Sequence, residues 1–323
     1  MKSILFVATL MCGLWTSALA QGVQPVKVGR YTLESNPWVN LHQRLLYEAK
    51  FNSAPPATLT SDDLKKWNSG VEVYRKWLGN RSPIVDPALI KLNDTLAKTD
   101  TRQLPGSLPE PAAATLQLLM PVYRSTQWPK DDGINRFAIA IVEPMLASAG
   151  EELLAAHEKV YGVPFPKQIL VDFTALGWEF GAYTVGPPNF AHVVLQSGDN
   201  PAGQGFMALE SMMHEPSHVV VDGTSGAIGR EINLIAKELG VKPRYNLWHA
   251  ILFYTSGELT RRALEKRGVL NYKRIIDSGM YERGFQGFKQ PLETHWQAYL
   301  DGKISRDAAI RQILIETASR TAK

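Results

Sequence analysis

The segment His214-Glu215-Pro216-Ser217-His218 carries two histidines with the H-E-x-x-H spacing. On an α-helix, residues four positions apart lie on the same face, so the two imidazoles can converge on one metal ion. Glu215 is rotated by about 100° from His214 around such a helix, and its carboxylate can act on a water at the metal without being a ligand. The pattern therefore predicts a metal site with His214 and His218 as ligands and Glu215 as a base.

A helix must hold these side chains, and the residues before the motif are good helix formers. Pro216 interrupts the pattern, because proline has no amide hydrogen and its ring collides with the carbonyl of Met212. We therefore expect a kink at this position. The amides of Ser217 and His218 can still bond to the carbonyls four residues earlier, so the turn that holds both histidines is expected to survive.

Zinc needs a third protein ligand and, for catalysis, one open position. Glu258 is the preferred third ligand in the sequence, because it follows a run of apolar residues on the predicted helix 244–268, 40 residues after His218. The alternative is that Glu258 faces solvent and pairs with Arg261 or Arg262, one turn later on the same helix.

Two other residues are candidates for the same position. His249 lies on the same predicted helix as Glu258 but nine residues earlier, which is about 13 Å along the axis. Because of that distance, Glu258 and His249 cannot both bind one ion. If His249 is not the ligand, we expect it to pack in the core or to support a ligand. Asp222 lies one turn beyond His218, and so local a ligand rarely closes a tetrahedron.

The first 20 residues, Met1–Ala20, have the layout of a secretory signal peptide. One lysine precedes an apolar run, and the small residues Ala18 and Ala20 mark a cleavage site before Gln21. The apolar run is too short to span a membrane comfortably, so no stable membrane span is expected after cleavage. We therefore expect an exported protein, periplasmic or secreted from a bacterium.

Cleavage would also remove the single cysteine, Cys12, which excludes a disulfide framework and a cysteine nucleophile from the mature chain. Loss of Lys2 leaves 34 of the 35 basic residues against 31 acidic ones, a net charge of +3. The basic residues are scattered and form no run, so the sequence gives no support to nucleic-acid binding.

The order of the remaining elements predicts an α+β fold that is mainly helical. Residues 21–160 form an N-terminal helical region, in which 101–111 is a proline-rich and glycine-rich linker candidate. Residues 161–323 form the metal-binding region, which begins with a small sheet and ends in helices. Its three predicted strands are Gln168–Ala175, Glu179–Val185 and Ala191–Ser197.

Three strands, an H-E-x-x-H helix and a later helix that offers Glu258 together resemble the catalytic half of the zincin metallopeptidases, specifically the gluzincin arrangement. The resemblance covers residues 161–268, about a third of the chain. The chain does not resemble the metzincins, which need a third histidine or aspartate at the position of Thr224.

The resemblance implies a zinc-dependent peptidase acting on a peptide or protein substrate, with Glu215 as general base. By the same resemblance, Tyr254 is the first candidate to stabilise the oxyanion, ahead of His249, His295 and Tyr299. The strand Ala191–Ser197 would line the cleft and pair with extended peptide. Two alternatives stay open: a catalytically silent zinc-binding module of the same fold, and a helical binding protein without metal.

Overall fold

The computed structural model describes residues 24–99, 108–179 and 181–320. They form an α+β fold that is mainly helical, with one small mixed sheet, which confirms the predicted fold class. The predicted signal peptide, with Cys12, and residues 101–107 of the linker candidate lie outside the described residues.

The sheet has five strands in the order β1-β2-β3-β5-β4. The central strands β3 and β5 are parallel to each other and almost wholly buried, as expected for strands covered on both faces. Within the described residues, strand β4 pairs with β5 alone and runs antiparallel to it, so β4 is an edge of the sheet beside the motif helix. The strands are β1 Val26–Val28, β2 Tyr31–Glu34, β3 Gln168–Thr174, β4 Ala182–Val185 and β5 Phe190–Gln196.

One face of the sheet is covered by helices from the N-terminal region, which share a hydrophobic core with Tyr183, Val185 and Val194. His192 of β5 also lies on this side, fully buried between the carboxylates of Asp94 and Asp172. The helices of this layer are α1 Pro37–Phe51, α2 Ser61–Leu78, α3 Pro87–Ala97 and α4 Ala112–Thr126.

The second hydrophobic core contains the site and draws residues from both predicted regions. Strand β2 pairs with β3, so the chain before residue 160 and the chain after it build one sheet. No helix within the described residues is both long and apolar enough to cross a membrane. The longer elements of this half are α5 Trp128–Tyr161, α6 Gly205–Ser217, α7 Ala227–Leu239, β6 Val241–Lys242 and α8 Leu247–Glu265.

The chain after residue 279 forms mostly short helical elements that pack against α7 and α8. They are α9 Met280–Arg283, α10 Lys289–Pro291, a π-helical turn Leu292–Trp296, α11 Gln297–Leu300, α12 Arg306–Thr317 and β7 Ser319–Arg320, which pairs with β6.

The motif helix α6 keeps its helical form through Pro216 and ends at Ser217. The amide of His218 donates to the carbonyl of Glu215 at 3.0 Å, three residues back, where the sequence led us to expect a bond four residues back. The last turn is therefore tightened into a 3₁₀-type turn, a common way for a helix to end. Both histidines remain on one face of the chain.

Candidate metal centre

Three histidines bring their Nε2 atoms together at the end of α6. The Nε2 atoms of His214 and His218 lie 3.2 Å apart, and those of His214 and His249 lie 3.4 Å apart. One ligand atom from each residue lies within 4.8 Å of the others. His214 lies in the last turn of α6, His218 is the residue that caps its C-terminal end, and His249 comes from the first turn of α8, which packs against α6.

These spacings suit a small divalent cation. Zinc binds histidine nitrogen at about 2.0–2.1 Å in tetrahedral geometry, which places two ligand nitrogens about 3.3 Å apart. Burial lowers the pKa of His218 to about 4, and burial together with the neighbouring His218 lowers the pKa of His249 to about 3. Burial, followed by the charges of the other histidines, also holds the pKa of His214 well below its usual value. All three imidazoles are therefore neutral at pH 7, the form that binds metals, and the group can hold a metal ion.

Aromatic rings fix the orientation of the histidines. Phe253 lies against His214, with ring centroids 3.8 Å apart, and Trp248 stacks on His249 at 4.9 Å. Phe285 meets His249 edge-on at 5.5 Å. His214 is buried, whereas His218 and His249 are half-buried, so the group is partly exposed to solvent. Three protein nitrogens in a partly exposed group resemble the ligand set of catalytic zinc sites.

Glu215 lies beside this group and is 6 % exposed. Its Oε2 accepts a hydrogen bond from the hydroxyl of Thr184 at 2.8 Å, which ties the carboxylate to the edge strand β4. Burial raises the pKa of Glu215 to about 7, and the hydrogen bond from Thr184 opposes part of that rise. A carboxylate with a pKa near 7 can both take up and release a proton at neutral pH.

Glu258 lies elsewhere, which corrects the preferred third ligand. Its carboxylate accepts from the guanidinium groups of Arg261 and Arg262 at 2.7–2.9 Å and lies 3.6 Å from Arg274. Burial alone would raise the pKa of Glu258, but Arg261 and Arg262 outweigh burial and hold the pKa below its usual value. Nine residues separate His249 from Glu258 along α8, and His249 is the residue of this helix that groups with His214 and His218.

The structure also argues against Tyr254 as the residue that stabilises an oxyanion, because its hydroxyl has another partner. Its hydroxyl donates to Gln297 at 2.8 Å, and the guanidinium of Arg274 lies over its ring at 4.5 Å. Gln297 and Arg274 both contact Glu258, so Tyr254 belongs to the network around that carboxylate.

The remaining candidates have other partners. Asp222 accepts from the backbone amides of the turn that follows it, 224–226. His295 pairs with Glu316, and Tyr299 donates to the carbonyl of Val160.

The strand beside the centre differs from the one expected from the resemblance. Strand β5, which covers most of Ala191–Ser197, lies between β3 and β4 and has both edges paired. The edge strand is β4, whose Thr184 contacts Glu215. Sequence reasoning missed Thr184, because no local pattern marks a threonine whose partner lies 31 residues away.

The chain matches no protein-family model, no curated protein and no solved structure.

Proposed function

We propose that this protein is an exported zinc-dependent metallopeptidase, in which His214, His218 and His249 bind zinc and Glu215 is the general base. The observation that supports it is the convergence of three neutral histidine nitrogens beside a buried carboxylate. A structural zinc site normally has four protein ligands, whereas three ligands and an open side are typical of a catalytic one.

A bound zinc ion would supply a Lewis acid that acidifies water and polarises a carbonyl oxygen. Glu215 would accept a proton from the attacking water and deliver it to the amine nitrogen that leaves when the peptide C–N bond breaks. The Thr184 hydroxyl would hold one carboxylate oxygen and leave the other for this transfer. The ring of Phe253 against His214 would keep the first ligand in place.

The edge strand supports a peptide as substrate. An extended peptide can add to the unpaired side of β4 through backbone hydrogen bonds. Because the Thr184 side chain of that strand contacts Glu215, a peptide bound there would pass close to the proposed base. In this proposal the peptide pairs with β4 and not with β5, and it still binds by adding a strand to the sheet.

Metal analysis and two variants separate the proposal from its alternatives. The purified protein is assayed for zinc and for hydrolysis of an unstructured protein such as casein. We expect about one zinc per chain, loss of zinc in His218→Ala, and loss of turnover with retention of zinc in Glu215→Gln. A protein that binds zinc but has no turnover fits the silent module, and a protein that binds none fits the helical binding protein.

A further inference from the structure

Pro216 leaves a gap in the hydrogen bonding of the motif helix. In a regular helix the amide of residue 216 would donate to the carbonyl of Met212, and proline has no hydrogen to donate. Met212 is fully buried, so water cannot take the place of the missing donor. An unpaired carbonyl in such surroundings is costly.

Tyr31 supplies the missing donor, although it is distant from Met212 in the sequence. Its hydroxyl donates to the carbonyl oxygen of Met212 at 2.7 Å and also lies 3.7 Å from the sulfur of Met213. Tyr31 stands at the start of β2, is 2 % exposed, and is separated from Met212 by 181 residues. Burial keeps the hydroxyl protonated by raising its pKa far above the usual value.

The position of this bond connects it to the metal centre. Met212 lies two residues before His214, and the tightened turn that ends at His218 starts at Glu215 and contains Pro216. The bond from Tyr31 therefore fixes the backbone on the N-terminal side of the proline, where the first histidine is attached. Without it, the helix could relieve the unpaired carbonyl only by moving the turn that spaces His214 from His218.

We propose that Tyr31 is a positioning residue of the three-histidine group, whose hydroxyl replaces the helix bond removed by Pro216. The role in metal binding rests on the proposed function, whereas the pairing of Tyr31 with Pro216 does not. The two residues form a functional pair: the tyrosine hydroxyl matters because the proline is present.

A double-mutant cycle tests this dependence, with Tyr31→Phe, Pro216→Ala and the double variant. Each protein is measured for its zinc dissociation constant, by competition with a chromophoric chelator, and for unfolding by urea without metal. In the wild-type background, Tyr31→Phe is expected to weaken zinc binding by about tenfold, as for other residues that orient ligands. It is also expected to raise the unfolding equilibrium constant by about tenfold.

With Pro216→Ala, the restored amide bonds to Met212, and the tyrosine hydroxyl becomes dispensable. Tyr31→Phe is then expected to change both quantities by less than about twofold. Tyr281→Phe is the matched control, because Tyr281 is buried in the same core and its hydroxyl has no partner among the described residues. Pro216→Ser, which also restores the amide, replaces Pro216→Ala if that variant does not fold.

Equal effects of Tyr31→Phe in both backgrounds would overturn the pairing. Coupled unfolding with unchanged zinc affinity would overturn the positioning role. If the wild type binds no zinc but the unfolding cycle is coupled, the proposed function fails and the pairing of Tyr31 with Pro216 stands.

Discussion

The Nε2 atoms of His214 and His249 lie 3.4 Å apart, although 35 residues separate them in the chain. Helix α8 packs across α6 so that its first turn, rather than its middle, faces the H-E-x-x-H motif. The donor set is therefore three imidazoles, in place of the two imidazoles and one carboxylate expected from the gluzincin resemblance. Neutral imidazoles add no charge to the centre, so a bound divalent cation would keep its full positive charge there.

The proposed ligands predict that two substitutions on α8 differ in their effect on zinc affinity. His249→Ala is expected to weaken zinc binding by more than about 100-fold, beyond the effect of losing a residue that only supports a ligand. Glu258→Gln is expected to leave zinc affinity unchanged and to lower the free energy of unfolding by about 1–3 kcal/mol, because it weakens contacts with half-exposed arginines. Zinc titration measures the affinity of both variants, and urea unfolding measures their stability. Loss of zinc from Glu258→Gln with retention in His249→Ala would contradict the assignment.

The hydrogen bond between Thr184 and Glu215 predicts an effect on turnover alone. Thr184→Val keeps the shape of the side chain and removes the donor to a charged acceptor, which is expected to lower kcat by roughly tenfold or more. KM and zinc content should be unchanged, because the threonine hydroxyl bonds to the proposed base and not to a proposed ligand. Thr184→Ser retains the hydroxyl and should retain most of the activity. Loss of activity in the Ser variant with retention in the Val variant would show that the methyl group, not the bond, is what matters.

Metal removal is expected to destabilise the protein. A ligand that binds only the folded state stabilises it by about 4 kcal/mol when its free concentration is 1,000 times its dissociation constant. Dialysis against a chelator should therefore lower Tm, and added zinc should restore it. The His218→Ala variant is the control and should respond to neither treatment. A wild-type Tm that does not change on chelation would argue against a site formed by the folded chain.

His192 predicts how stability depends on pH. Burial lowers its pKa, but the hydrogen bonds and charges of Asp172 and Asp94 outweigh burial and raise it to about 9. Asn93 also faces the imidazole, and Glu34 lies beside Asp172 on the neighbouring strand.

Because the folded pKa is raised, the stabilisation from these ion pairs is complete below the ordinary histidine pKa of 6.5 and is lost as the pH rises through about 9. We expect these ion pairs to contribute about 3 kcal/mol to the free energy of unfolding. Urea unfolding of the wild type and of His192→Gln at several pH values measures it as the difference between the two proteins. A difference that grows with pH would contradict the ion-pair account.

Local patterns identified the elements but not their partners. The mainly helical α+β class was predicted, and the three strands before α6 lie close to the predicted strand-like runs. The H-E-x-x-H spacing indicated the first two histidines, because the helical backbone continues from His214 to the C-cap His218. The pairing of Glu258 was also indicated by the sequence, since Arg261 and Arg262 follow it by three and four residues, although its side chain is buried and does not face solvent.

The other half of the site depends on contacts between distant segments. Which turn of α8 faces α6 is set by packing of the two helices, and nothing in the spacing of His249 and Glu258 decides it. Thr184 and Tyr31 are single polar residues on strands, and each acts on α6 through one hydrogen bond across the core. Such residues carry no signature in a single sequence, because their role is defined by a partner far along the chain.

The ligand shell of the loaded protein tests the central claim most directly. The X-ray absorption spectrum of the zinc-loaded protein counts imidazole ligands by the outer-shell scattering of their rings. We expect three imidazoles at about 2.0 Å in the wild type and two in His249→Ala. Two imidazoles in the wild type, or a protein that retains no zinc after loading, would contradict the three-histidine centre.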